Sequence, residues 1–124
     1  MIEGVVVDRE ASVDIEITGS TGSIRTEAVI DTGYNGYLTL PAHIVTILGL
    51  AFAGHRSGTL ADGSTVVLDV YLGHVIWHER RKEVLIAQAV GMPLIGMSLL
   101  DGCRLTIDVV ENGNVNIDEL SSRT

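Results

Sequence analysis

Segments in which polar and apolar residues strictly alternate constrain the fold of this chain more than any other feature. The clearest is residues 12–18, where Val13, Ile15 and Ile17 alternate with polar side chains. Successive side chains of a strand point to opposite faces of a sheet, so this pattern predicts a strand with one buried face. Other alternating or apolar segments predict further strands at 24–30, 38–40, 57–60, 64–77, 83–90, 104–109 and around Val115 and Ile117.

Two short helices are predicted between these strands. Pro41 suits the first helical position, where the N–H that proline lacks is not needed. The apolar residues Ile44, Ile47 and Leu48 would then share one helical face. A second short helix is predicted over residues 97–100.

Turn-forming residues separate the predicted strands. Asp62-Gly63 and Asn112-Gly113 each lie between two of them, which is a hairpin signal. The basic cluster at 80–82 is predicted to be a solvated turn. Many short strands, tight turns and one or two short helices predict an all-β fold, a small closed β-barrel. We expect a single domain over residues 1–120 and a flexible tail over 121–124.

The composition and charge argue against two classes of partner, nucleic acids and membranes. The net charge of −8 would repel phosphate, so no nucleic-acid partner is expected. The longest nearly apolar run, residues 44–54, is too short to span a bilayer, and the first residues lack a signal-peptide pattern. We therefore expect no membrane partner. The one cysteine, Cys103, excludes an internal disulfide and is compatible with a reducing compartment, and we expect a cytoplasmic protein.

Histidine and cysteine offer little support for a metal or thiol site. His74 and His78 would share a strand face about 13 Å apart, which is too far for one ion. Cys103 has no evident histidine partner in the sequence and is interpreted as a small buried residue. No metal and no other cofactor are expected.

An ionisable residue directly follows an apolar strand end. Ala28-Val29-Ile30 leads into Asp31, and Thr32-Gly33 follows. A carboxylate in such surroundings must be hydrogen-bonded, paired or protonated. In one interpretation Asp31 starts a turn by accepting backbone N–H groups.

In a second interpretation Asp31 is catalytic, and it depends on a resemblance that spans residues 13–109. Residues 28–41 (AVIDTGYNGYLTLP) resemble the active-site segment of the retropepsin-like aspartic proteases, most closely the small bacterial group of that clan. A hairpin at 60–66 lies where that family has its substrate-covering flap. Residues 93–102 (PLIGMSLLDG) resemble the family's apolar-apolar-glycine segment and the helix near its C-terminus.

The resemblance implies an aspartic endopeptidase built from one lobe per chain. Such enzymes hydrolyse peptide bonds with two aspartates that share one proton, one acting as general base on a water and the other as general acid. This chain has a single Asp-Thr-Gly, and Ile95 stands before the glycine at the matching later position. The resemblance therefore implies a homodimer with Asp31 from each copy and a peptide or protein substrate.

The resemblance also implies roles for the neighbours of Asp31. Thr32 would hydrogen-bond across the dimer, and Gly33 would let the substrate backbone approach closely. The flap tip would consist of Ala61, Asp62 and Gly63. We expect the terminal strands, around residues 5–7 and 115–117, to join the interface because they would otherwise be unprotected edges.

Two departures from the family pattern leave other functions open. Tyr34 stands where retroviral members usually have a small residue, and the flap has no aromatic residue. One alternative is a catalytically weak or inactive dimeric peptide-binding module on the same fold. Another is a monomeric barrel in which Asp31 only forms a turn.

Overall fold

Strands dominate the computed structural model, which describes residues 1–60 and 62–121. Strands account for 60% and helix for 9% of the chain, so the predicted all-β class is confirmed. In chain order the described elements are β1 (Ile2–Val7), β2 (Glu10–Gly19), β3 (Gly22–Ile30), β4 (Leu38–Leu40), α1 (Ala42–Leu48), β5 (Ala51–Thr59), β6 (Thr65–Trp77), β7 (Arg80–Gln88), β8 (Leu94–Ile95), α2 (Met97–Leu100), β9 (Cys103–Ile107) and β10 (Asn114–Glu119).

One sheet contains all these strands, in the order β5-β6-β7-β4-β8-β3-β2-β1-β10-β9. Strand β6 also pairs with β2, through Ile17 opposite Val75 and Thr18 opposite His74. This second pairing joins strands that are far apart in the order, so the sheet curls back on itself. No helix in the described part of the chain is long and apolar enough to cross a membrane.

The core is made of aliphatic side chains from the alternating strands. Val13, Ile15 and Ile17 of β2 are buried while Asp14 between them is exposed, as the period of two predicts. Trp77 is the one aromatic residue in the buried core of the described residues. The core therefore depends on close packing of Val, Ile and Leu, drawn from most of the strands and from both helices.

Helix α1 has a different buried face from the predicted one. Ile44 and Leu48 are buried as expected, but Ile47 is 61% exposed and Val45 takes its place in the core. At 100° per residue, Val45 and Ile47 flank the Ile44–Leu48 line on opposite sides. The helical period alone favours neither side, and packing on the sheet selects Val45.

The basic cluster at 80–82 is not a turn, contrary to the sequence prediction. It forms the start of β7, and Arg80 pairs with Trp77 of β6. The turn consists of His78 and Glu79, with φ of 50° and 66°. Positive φ at both positions is the geometry of a tight hairpin turn, which glycine, asparagine or aspartate usually signals. Neither residue here gives that signal.

The terminal strands are not edges, so the reason for expecting them at a dimer interface does not hold. Strand β1 pairs with both β2 and β10, and β10 pairs with β9. The two ends of the strand order are β5 and β9. The predicted tail over 121–124 falls largely outside the described residues, of which Ser121 is the last.

Candidate active site

Asp31 lies where a parallel pair of strands ends. Strands β3 and β8 pair in parallel, with Val29 opposite Leu94 and Ile30 opposite Ile95. The Asp31 N–H continues this ladder by donating to the Ile95 carbonyl at 2.9 Å. The backbone of Asp31 is thus fixed by the sheet, while its half-buried side chain projects from the sheet's end.

The Asp31 side chain forms a tight turn with the residues that follow. Its Oδ1 accepts the Gly33 N–H at 2.9 Å, and its carbonyl accepts the Tyr34 N–H at 3.1 Å. These bonds agree with the turn-forming interpretation. Among the described residues, Gly33 is the one group hydrogen-bonded to this carboxylate, so Oδ2 is available to another partner.

The loop after Asp31 is held by Gly96, which joins β8 to α2, and by the first two residues of α2. Its carbonyls at Tyr34, Gly36 and Tyr37 accept N–H groups from Met97 (2.8 Å), Ser98 (3.1 Å) and Gly96 (3.1 Å), respectively. The Ser98 hydroxyl donates to the remaining carbonyl, that of Asn35. All four carbonyls of residues 34–37 are therefore bound by three consecutive residues. We call this set of bonds, between residues 34–37 and 96–98, the loop clamp.

Two glycines let the loop clamp close. A Cβ on Gly96 would lie 2.2 Å from the Gly36 carbonyl oxygen and 2.6 Å from the Tyr34 ring. A Cβ on Gly36 would lie 2.2 Å from the Tyr34 hydroxyl oxygen. The Tyr34 ring thus packs across both glycines. The loop therefore accommodates this bulky residue by packing its ring against Gly36 and Gly96.

The Tyr34 phenol is partly removed from water. Burial raises its pKa above the usual value, and the positive charge of Arg56 opposes this rise. The phenol therefore stays protonated throughout the physiological range. The charge of Arg56, a residue of β5, thus acts on the pKa of a side chain in the Asp31 loop, and no motif in the sequence indicates this interaction.

A two-stranded ribbon extends beyond the sheet at the predicted flap. Strands β5 and β6 pair from Ala51–Leu72 to Thr59–Thr65, but β6 pairs with β7 only from Val70 onward. The part of the hairpin from His55 to Asp69 therefore has no third strand. We call this part the ribbon. An isolated two-stranded hairpin has only marginal stability, so the ribbon is the least supported part of the sheet.

The tip of the ribbon is a hydrogen-bonded turn. The Ser64 N–H and hydroxyl both donate to Asp62 Oδ1, at 2.9 and 2.6 Å, and these bonds lower the pKa of Asp62. The Gly63 N–H donates to the Leu60 carbonyl, and Gly63 has φ of 86°, which favours glycine. Ala61, the third predicted tip residue, lies outside the described residues.

Thr32 and Gly33, the other predicted site residues, are both exposed in the single chain. A Cβ on Gly33 would lie 3.2 Å from Asp31 Oδ1, so the absent side chain leaves the carboxylate open. The structure therefore brings Asp31, Thr32 and Gly33 together in one exposed turn.

Cys103 has a histidine neighbour that the sequence analysis missed. Its Sγ, at the start of β9, lies 3.6 Å from Nε2 of His78, which is in the turn after β6. The two residues are 25 positions apart, and no local pattern predicts their contact. Burial raises the pKa of the Cys103 thiol and lowers the pKa of His78. The pair is therefore neutral near pH 7, which agrees with an unreactive thiol rather than a nucleophile.

Alkylation of Cys103 should accordingly be slow. A raised pKa reduces the thiolate fraction at pH 8, and the thiolate is the reacting form. We expect iodoacetamide to modify the folded protein at least about fivefold more slowly than it modifies glutathione. Urea-unfolded protein is the control and should react at the glutathione rate. Equal rates for the folded and unfolded protein would contradict this assignment.

The described residues contain no group of three or more His, Cys, Asp and Glu side chains arranged to hold a metal ion. Comparison with known proteins adds no assignment, because no protein-family model matches the chain and a search of curated proteins returns no match.

Proposed function

We propose that this chain is one lobe of a homodimeric aspartic endopeptidase of the retropepsin-like type. The observation that carries the proposal is the Asp31 turn. Among the residues that the structure describes, none donates a hydrogen bond to the second oxygen of the Asp31 carboxylate, and the sheet and the loop clamp fix the loop that carries it. A turn-forming aspartate alone does not require every carbonyl of the following loop to be bound. Such rigidity is what positioning of a catalytic group requires.

The reaction needs a second carboxylate, and the sequence contains a single Asp-Thr-Gly. In the proposed dimer, two Asp31 side chains meet on the two-fold axis and share one proton, since two like charges in contact do not both ionise. The ionised carboxylate takes a proton from the attacking water, and the protonated one donates to the substrate carbonyl oxygen. Exposed Thr32 is then available to hydrogen-bond across the interface, and Gly33 leaves room for the substrate backbone.

The fold type is part of the same proposal. The β6–β2 pairing, which curls the sheet, supports a closed barrel. The unsupported ribbon supports the role of a flap over the cleft. Because β1 and β10 are paired within the chain, the proposed interface centres on the Asp31 turns rather than on exchanged terminal strands.

Solution mass and peptide cleavage test this function together. Sedimentation at tens of micromolar should give a dimer, and a diverse peptide library should yield endoproteolytic products. A clean monomer without cleavage would favour the monomeric barrel with a turn-forming Asp31. A dimer that binds peptides without cutting them would favour the peptide-binding module.

The ribbon should be the mobile element of this enzyme. We expect amide hydrogens of residues 60 and 62–65 to exchange at least about a hundredfold faster than those of β2 and β3 in the free protein, because the ribbon has few buried contacts. Binding of a peptide to the inactive Asp31→Asn variant should slow them, as closure of a lid does. Hydrogen-exchange mass spectrometry measures both states. Unchanged protection with peptide bound would contradict a flap.

A further inference from the structure

Arg56 occupies the inner face of the ribbon. Directly opposite residues of paired strands share a face, and Arg56 is opposite Leu68. Leu68 and its same-face neighbour Val66 are half-buried, whereas Val67 on the other face is 63% exposed. The face that carries Arg56 is therefore the one that turns toward the body of the protein. The same face includes Val70, which is buried. The charge of Arg56 also opposes the rise in the pKa of Tyr34, which agrees with a position on the side of the Asp31 loop.

The charges around Arg56 leave it without a protein counter-ion. The nearest acidic residue along the ribbon, Asp69, lies on the opposite face and pairs with His55 at 2.9 Å. Asp62 at the tip is bound by Ser64. In the described part of the chain, Arg56 forms no ion pair. Arg56 is itself exposed, so its guanidinium is accessible to a ligand that carries a carboxylate.

We propose that Arg56 binds an acidic side chain of the peptide substrate and selects for it. This inference deepens the proposed endopeptidase function and rests on it. A guanidinium binds a carboxylate through two parallel N–H···O bonds, which adds geometric selectivity to the charge. An extended substrate lying between the Asp31 turns and the ribbon passes under this residue.

Two-fold symmetry makes the expected preference specific. A homodimer supplies two Arg56 side chains, one under each ribbon and related by the axis through the paired Asp31 residues. An acidic residue should therefore be favoured at equivalent distances on both sides of the scissile bond. A cation outside the cleft would give no preference at any single substrate position.

The test uses matched peptides that differ only in Glu, Gln or Lys at each position flanking the scissile bond. Cleavage is compared for the wild type, Arg56→Gln and Arg56→Glu, in about 0.15 M salt so that the long-range repulsion from the acidic protein is screened. We expect about a tenfold higher kcat/KM for Glu over Gln at the two symmetric positions. Arg56→Gln should remove the preference, and Arg56→Glu should transfer it to Lys.

Two controls separate this inference from the proposed function. Arg104→Gln, an exposed arginine in β9 at the other end of the strand order, should keep the wild-type preference. Fluorescence anisotropy of labelled peptides, measured with each variant in the inactive Asp31→Asn background, should show the same preference for Glu over Gln in the dissociation constants. Cleavage with no acidic preference, or with the preference intact in Arg56→Glu, would overturn the role of Arg56 alone. A wild type that neither binds nor cuts any peptide would overturn both.

Discussion

Replacing Asp31 with asparagine should abolish peptide hydrolysis while the protein stays folded and dimeric. The substitution removes both carboxylates of the proposed pair, since each copy contributes one, and an amide neither accepts the water's proton nor donates one. Loss of general acid–base catalysis predicts a fall in kcat of at least about a thousandfold. Steady-state kinetics on a peptide cut by the wild type measures the effect.

The fold should survive this substitution because asparagine keeps the turn. Its side-chain oxygen still accepts the Gly33 N–H that binds Asp31 Oδ1. The melting temperature should therefore stay within about 3 °C of the wild type. The dimer should persist, and it should tighten if repulsion between the two carboxylates opposes it.

Asp14→Asn is the matched control. Asp14 is an exposed aspartate of β2, so the same chemical change there should leave kcat unaltered. Retained hydrolysis in purified Asp31→Asn protein would exclude Asp31 as a catalytic residue. Loss of activity together with unfolding would instead identify the turn as purely structural.

Gly96→Ala should strongly destabilise the fold. The added methyl would lie 2.2 Å from the Gly36 carbonyl oxygen, and backbone atoms of a clamped loop have little room to move. Overpacking of this kind predicts a loss of about 3 kcal/mol in the free energy of unfolding. For a chain of this size, that loss corresponds to about a 12 °C fall in melting temperature. Because the methyl pushes the loop clamp apart, peptide cleavage should also fall.

Gly58→Ala provides the comparison for this stability effect. A Cβ on Gly58 of β5 would meet atoms of Val66 and Leu68 at ordinary contact distances of 3.7 to 4.0 Å. Alanine also reduces the freedom of the unfolded chain, so the free energy of unfolding should change by less than about 1 kcal/mol. Urea denaturation of both variants measures the difference. Equal stability of Gly96→Ala and the wild type would mean that the loop clamp is not needed to hold the Asp31 loop.

Local patterns in the sequence determined most of the elements. The alternation at Val13, Ile15 and Ile17 predicted the buried face of β2, and the bounds of β4 (Leu38–Leu40) and α2 (Met97–Leu100) match the predicted ones. The Asp62-Gly63 hairpin also lies where it was predicted. These features depend on residues a few positions apart, through side-chain period and turn chemistry, so a single sequence contains them.

Tertiary structure alone decided which elements distant in the sequence meet and what surrounds Asp31. The sequence placed this aspartate at a strand end. The parallel partner β8 lies some sixty residues later, and the Ser98–Asn35 bond joins residues 63 positions apart. The choice of Val45 over Ile47 likewise depended on the sheet beneath α1. Such contacts form when the whole chain folds and buries its apolar surface. The spacing of neighbouring residues does not specify which distant segments are buried against each other.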